Sequence, residues 1–297
     1  MSTRIIFLAS FAILLFTSCN NKSKTDAEDT SKQNDSPVVV KDATKENEAL
    51  PDRIRQSTAE INNYRSVPSM HEDSMSIVYK GVRDTIFGFR AGDTLYTEGD
   101  IKVTYTAKGA KGVGTTDKLW DHHNGRIIIP YVISSTYSHR DRIKAAFDLW
   151  NVQLPAIRFI ERTIEDDYIL FMPSQFTQSN VGKIGNVQTI ELAEWAISGN
   201  IAHEIGHVLG LYHEHTRADR DTKVQVQISC TDNINYRHAF KMDPYAIDIG
   251  EYDYNSIMQY PQTECLSFPS LPKGINPGQR ISISDGDALT IRRIYRL

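Results

Sequence analysis

The chain has 297 residues, 40% of them hydrophobic and 24% charged, with a formal net charge of −4. Those proportions suit a globular protein, and the length suits one sizeable domain plus a smaller segment at about 150 residues per domain. Without a basic surplus nothing draws a phosphate backbone, so nucleic acid is excluded as a partner, and three cysteines are too few for a disulfide scaffold.

Residues 1–19 read as a targeting signal. Arg4 supplies a positive charge, Ile5 to Phe16 is apolar apart from Ser10, and Thr17-Ser18-Cys19 comes next. The run is short for a bilayer span and suits the apolar centre of a signal peptide. Phe16-Thr17-Ser18-Cys19 resembles a bacterial lipoprotein cleavage box, although an aliphatic residue is usual where Phe16 stands. On that reading Cys19 becomes the lipidated first residue, and its acyl chains tether the protein to a membrane. An ordinary secretory signal cut nearby is the alternative. Either places the mature protein outside the cytoplasm, as an outer-surface or periplasmic lipoprotein or a secreted protein. There Cys230 and Cys265 can pair or stay as buried thiols.

Residues 20–50 are rich in Lys, Asp, Ser, Thr, Asn and Glu with almost no large apolar side chain, the composition of a disordered tether. Residues 51–111 form a small segment, with a short helix expected over 54–64. Strands are expected at Ser76–Tyr79, Asp84–Phe87 and Asp100–Tyr105. The segment is too small for a core of its own and is expected to lean on the larger domain C-terminal to it. Lys108 to Gly114 (K-G-A-K-G-V-G) reads as a flexible linker, or as an exposed loop where an activating protease cuts.

Residues 112–297 carry the main domain. Arg126–Ile133 reads as a strand, and Ser138 opens a helix through Trp150 with Ile143, Ala146, Phe147 and Trp150 on its apolar face. Strands are expected at Ile157–Arg162 and Tyr168–Met172, then a helix over Asn200–Leu209. A looser, proline-interrupted stretch leads to a final helix from about Ser284 to Ile294. This order predicts an α+β domain with its cleft at the Asn200–Leu209 helix.

That helix holds the chemistry. His203 and His207 are four apart and so share one helix face. Two neutral imidazoles so placed can bind one divalent metal, and Glu204 beside them can hold a water against it. Gly210 permits the left-handed turn that ends the helix and returns His213 to the same metal. Three nitrogens, an open position and a carboxylate make a hydrolytic zinc site rather than a closed structural one. H-E-x-x-H alone is a modest signal, whose other reading is an amphipathic helix carrying incidental histidines. The added glycine and third histidine complete the metzincin pattern H-E-x-x-H-x-x-G-x-x-H.

Four features together resemble the astacin family of metzincin zinc endopeptidases. They are the continuation H-E-H-T-R-A-D-R-D from His213; Tyr254-Asn-Ser-Ile-Met258-Gln-Tyr260, similar to the family's Met-turn; Leu119-Trp120 and then Gly125-Arg-Ile-Ile-Ile-Pro-Tyr131, similar to the start of a mature domain; and Glu98-Gly99-Asp100-Ile101, similar to the propeptide motif F-x-G-D. The resemblance covers roughly Thr97 to Leu297. It implies a two-lobed catalytic domain, a twisted sheet with helices in the first lobe and a looser second lobe with a final helix, preceded by the propeptide of an inactive zymogen. It implies one Zn2+ per chain, held by His203, His207 and His213 with Tyr260 as a further ligand that swings away to stabilise the oxyanion. Glu204 is then the general base, Met258 the hydrophobic floor and Glu214 the partner of the new N-terminus. Asp100 is the aspartate switch that occupies the metal before activation, with Phe89-Arg-Ala-Gly92-Asp93 as a competing near-match. The implied partners are protein or peptide substrates, the chain's own propeptide and an activating protease.

Some features depart from the pattern. Gln259 replaces the Met-turn histidine, Thr97 stands where the propeptide motif has Phe, and Ala156 and Thr177 stand where cysteines are expected. His122, His123, His139, His215 and His238 belong to no second metal pattern and read as surface or local hydrogen-bonding residues. Two other functions remain open: an inactive protease scaffold used as a surface adhesion module, or a zinc hydrolase of non-protein amides such as cell-wall crosslinks. Inactive scaffolds tend to lose the glutamate or a ligand, whereas here Glu204 and all three histidines are present.

Overall fold

The computed structural model describes residues 71–79, 82–91, 94–97, 99–106, 109–111, 119–230, 239–242 and 247–297. The expected signal, the tether and the helix over 54–64 lie outside the described residues, as do Asp93, Glu98 and His238.

The first sheet is an antiparallel meander of β1 (His71–Tyr79), β2 (Val82–Ala91), β3 (Thr94–Thr97), β4 (Ile101–Thr106) and β5 (Gly109–Lys111). The three expected strands correspond to parts of β1, β2 and β4. Two more are not evident in the sequence: β3 is only four residues, and Gly109–Lys111, which reads as linker, pairs with Thr104–Thr106. A partner strand, not local propensity, makes that glycine-containing stretch extended.

The second sheet runs β10 (Val187–Leu192), β9 (Tyr168–Pro173), β7 (Arg126–Ile133), β6 (His122–His123), with β8 (Ile157–Glu161) also on β7. β7 is central and parallel to both β8 and β9. Its alternation buries Ile127, Ile129, Tyr131 and Ile133. Helix α1 (Arg140–Gln153) begins two residues later than expected, because His139 takes the N-cap position. It buries the anticipated Ile143, Ala146, Phe147 and Trp150, and Trp150 Nε1 donates to the Ala202 carbonyl of the next helix at 2.9 Å. β10 does not announce itself in the sequence, because Gln188 occupies a buried position at its start while Val187 is exposed, which inverts the usual alternation.

Helix α2 (Ser198–Leu209) is buried from Gly199 to its end, within a core that also includes Ile127, Phe147, Trp150 and Phe171. Ile201, Ile205, Val208 and Leu209 are fully buried, each worth about 1.5–3 kcal/mol. A second apolar cluster, with Val224, Phe240, Tyr252, Tyr260, Leu266 and Phe268, supports the chain beyond α2. There Cys230 and Cys265 form a disulfide with Cα atoms 5.1 Å apart, beside the ladder of β11 (Gln225–Val226) and β12 (Leu266–Ser267). Helix α3 (Asp285–Tyr295) closes the chain. It is capped reciprocally by Ser284 and Asp287, and its Ile291 and Tyr295 reach back into the first core. The α+β architecture is the expected one.

The two sheets meet at one edge. Residues 178–180 run beside β10, with Gln178 and Glu191 exchanging backbone bonds of 3.0 and 3.1 Å. β4 lies on their other side, through Lys102 N–H to Ser179 O (2.8 Å) and Ser179 N–H to Asp100 O (3.1 Å).

Candidate metal centre

Helix α2 ends at Gly210 in the left-handed region (φ 108°), its N–H returning to the Gly206 and His207 carbonyls. The reversal carries His213 back over the helix, so that the Nε2 atoms of His203, His207 and His213 converge. His213 Nε2 is 3.2 Å from that of His207 and 3.3 Å from that of His203. All three residues are buried. His203 Nδ1 lies 2.8 Å from the Ile257 carbonyl and His207 Nδ1 2.8 Å from that of Leu211. A carbonyl only accepts, so both Nδ1 atoms carry the proton and both Nε2 atoms present lone pairs. Burial keeps His203 and His213 neutral, with pKa values pushed down to about 3.

Asp100 enters from the loop between β3 and β4. Its Oδ2 is 3.2 Å from His203 Nε2, and its Oδ1 is 3.0 Å from His213 Nε2 and 3.4 Å from His207 Nε2. Donors about 2.0–2.1 Å from a tetrahedral ion stand about 3.3–3.4 Å apart. The measured separations of 3.0–3.4 Å match that figure. Lone pairs and a carboxylate aimed at one another at this spacing suit a dication, and among the described residues these four form the cluster of metal-ligating groups.

The backbone explains how Asp100 arrives there. Gly99 has φ +92°, and a Cβ on it would lie 2.5 Å from the Tyr260 hydroxyl. Glycine alone satisfies both the conformation and the space. Tyr260 is buried, donates its hydroxyl to Asp100 Oδ2 at 3.3 Å, and packs its ring 4.5 Å from that of His213.

Glu204 is fully buried, next to His203 in the helix, its Oε2 accepting from Ser179 Oγ at 2.7 Å. Met258 lies under α2 at Gly206, where a Cβ would meet its Sδ at 2.5 Å, so the turn sits closer to the helix than any side chain at 206 would allow. Glu214 faces the opposite way, accepting from Asp253 N–H at 2.6 Å with Arg217 3.6 Å away. It borders a cavity of about 480 Å³ that Asp253, Asp287 and Met258 also line. Burial pushes its pKa up to about 8, opposed only in part by the Asp253 N–H and by Arg217.

The structure thus brings His203, His207, His213 and Asp100 to one point, with the Tyr260 hydroxyl on Asp100, Glu204 buried next to His203 on the same helix, Met258 under that helix and Glu214 directed away. Four further contributors are not marked in the sequence. Ser179 holds the Glu204 carboxylate; in sequence it is one more polar residue in a loop. His215 is buried, not on the surface, its ring 5.2 Å from His213 and 4.3 Å from Tyr260, with Nε2 donating to Ala239 O. Arg280 Nη1 donates to the Ile257 and Gln259 carbonyls (2.9 and 3.2 Å). Asp287 accepts from Ser256 Oγ and Ile257 N–H (2.6 and 2.9 Å), so that both clamp the turn under the histidines. Only long-range contacts distinguish these residues, and no local pattern signals them. His122 and His123 are exposed, and His139 pairs with Glu194.

Residues 113–296 match the family model described as Astacin (Peptidase family M12A). The chain is 32% identical over 214 residues to the chicken astacin-like metalloendopeptidase, covering 67% of this chain and 50% of that protein. It is 32% identical over 241 residues to human tolloid-like protein 1, covering 72% of this chain and 23% of that one. It therefore spans half or less of the length of these relatives. The solved structure of high choriolytic enzyme 1, a hatching-enzyme zinc-protease from medaka, superposes with a TM-score of 0.55 at 29% identity, covering 61% of this chain and 96% of that one.

Proposed function

This chain belongs to the astacin family (peptidase family M12A), and on that premise we propose that it is a zinc metalloendopeptidase made as an inactive zymogen, residues 51–111 being the propeptide and 112–297 the catalytic domain. The observation that carries the reading is the convergence of three imidazoles with a base beside them and a carboxylate from the preceding sheet in front of them.

His203, His207 and His213 would hold zinc, which when bound would supply a Lewis acid for acidifying water and polarising a peptide carbonyl. Glu204 takes the proton of the attacking water and delivers it to the leaving amine. Ser179 fixes the carboxylate's orientation through its 2.7 Å bond. Tyr260 serves as a further ligand and, once Asp100 has left, as donor to the developing oxyanion. Asp100 occupies the position in front of the histidines and excludes substrate. Glu214 receives the ammonium of the new N-terminus. Its carboxylate is mostly buried, its one cation at 3.6 Å, Arg217, is shared with Asp219, and the adjoining cavity offers room, so an ammonium there offsets the cost of burying the charge.

Outside the active site we propose an extracytoplasmic location, with Cys19 lipidated and residues 20–50 as tether, on the strength of Arg4, the apolar run and Phe16-Thr17-Ser18-Cys19. Among the described residues no helix is long and apolar enough to cross a membrane.

The experiment is to incubate the activated chain with a denatured protein and, in parallel, with purified cell-wall material, and to sequence the N-terminus of the active form. Chelator-sensitive cleavage of the protein, and a new N-terminus between residues 108 and 114, support the reading. Release of wall fragments without proteolysis, or no hydrolysis of either, contradicts it. Tyr260→Phe is expected to lower kcat about 10²-fold with KM little changed. Unaltered kcat removes Tyr260 from the mechanism.

A further inference from the structure

The strand that delivers Asp100 also delivers a cation. Two residues on, Lys102 is buried and reaches across residues 178–180 to β10. Its Nζ lies 2.8 Å from Glu191 Oε1, 2.7 Å from Thr189 Oγ1 and 3.2 Å from the Thr189 carbonyl. Three acceptors match the three N–H bonds of an ammonium. The carboxylate is itself held in place, its Oε2 accepting from Gln178 Nε2 and from Ser174 Oγ at 3.3 Å. The lysine side chain is 5% exposed and that of Glu191 21%.

Every member of this cation site except the lysine belongs to the segment 112–297. Thr189 and Glu191 are two apart on β10, so their side chains share one face, and Lys102 reaches both. β4 docks by backbone pairing along Ser179, with Asn180 Nδ2 adding a bond to the Lys102 carbonyl at 2.7 Å. An extended substrate that adds to the same edge places alternate side chains in the same positions. The position of Lys102 is about 7 Å along the strand from the one in front of the histidines.

We propose that Ser174, Gln178, Thr189 and Glu191 form a substrate subsite that selects a lysine or arginine side chain close to the scissile bond, and that Lys102 occupies it in the intact chain as a substrate mimic. This rests on the peptidase reading above. Burial alone would raise the pKa of Glu191, but the charge of Lys102 and the bonds from Lys102, Gln178 and Ser174 bring it below the ordinary carboxylate value. The carboxylate is therefore ionised when a cation fills the site. A neutral side chain there leaves that charge buried and unpaired, which is the origin of the selectivity.

Two measurements test it. In the first, the proteolytically activated full-length chain is given peptides carrying Lys, Arg, Met or Glu at each of the three positions on either side of the scissile bond. At one position Lys and Arg are expected to raise kcat/KM about 10–100-fold over Met. Glu191→Gln brings that ratio near one, and Glu191→Lys turns the preference toward Glu. In the second, labelled peptides of the sequence Thr94–Thr106, with Lys102 or with Lys102→Met, are titrated into activated chain carrying Glu204→Gln. The lysine peptide binds at least about 10-fold tighter, and adding Glu191→Gln abolishes the difference. Cleavage with no basic preference, or a preference that survives Glu191→Gln, overturns the proposal. If no peptide is cleaved, the peptidase reading fails while the binding comparison still decides whether the subsite exists.

Discussion

Glu204→Gln is expected to lower kcat of the activated chain by about 10²–10⁴-fold while zinc binding stays at one per chain. Glutamine is isosteric and still accepts from Ser179 Oγ, so the local structure is kept, but an amide takes no proton from water. The three imidazoles are held by the Ile257 and Leu211 carbonyls and by the turn at Gly210, none of which involves Glu204. Loss of activity with retained metal therefore isolates the proton transfer. Wild-type turnover in this variant would remove Glu204 from the mechanism, and loss of zinc together with activity would show a structural role instead.

Asp100→Ala is expected to raise the peptidase activity of the uncleaved chain, and its rate of activation, by about 10–100-fold. The substitution removes one carboxylate that contacts all three imidazoles and the Tyr260 hydroxyl. Of these contacts the Tyr260 hydroxyl is a hydrogen bond to a charged group, a kind that contributes about 1.5–3 kcal/mol. The backbone pairing of β4 with Ser179 and the Lys102–Glu191 contact remain, so latency is weakened rather than abolished. Gly99→Ala should act in the same direction by another route, because a methyl group there meets the Tyr260 hydroxyl and the φ of +92° strains any other residue. Both effects should vanish once the chain has been activated. Unchanged latency in Asp100→Ala would rule Asp100 out as the switch.

The centre of the site is legible in the sequence because its chemistry is local. His203, Glu204 and His207 lie within five residues, and Gly210 and His213 come after them at helical and turn spacing, so period and turn chemistry alone assemble the cluster. β7 and α1 are equally readable, since Ile127, Ile129, Ile143, Phe147 and Trp150 obey their periods. The features that escape sequence reasoning depend on contacts distant in sequence. Ser179 meets Glu204 across 25 residues, Asp287 meets Ser256 across 31, and Lys102 meets Glu191 across 89. β10 is hidden by the buried Gln188, which is satisfied by the Gly182 carbonyl and by Ile184 N–H. His215 reads as an ordinary local residue because ring contacts with His213 and Tyr260 leave no mark on spacing. Family resemblance, rather than period, brings Asp100 and Tyr260 into consideration, and their meeting at 3.3 Å is a property of the folded chain alone.

The most direct test of the three-histidine metal centre is a zinc titration of the metal-free, activated chain, monitored by cleavage of a denatured protein. Activity should rise from zero and saturate at one zinc per chain, and His213→Ala should weaken both zinc binding and cleavage severely. Full cleavage by the metal-free chain, or saturation without any cleavage, would contradict the claim that these three histidines hold a catalytic metal.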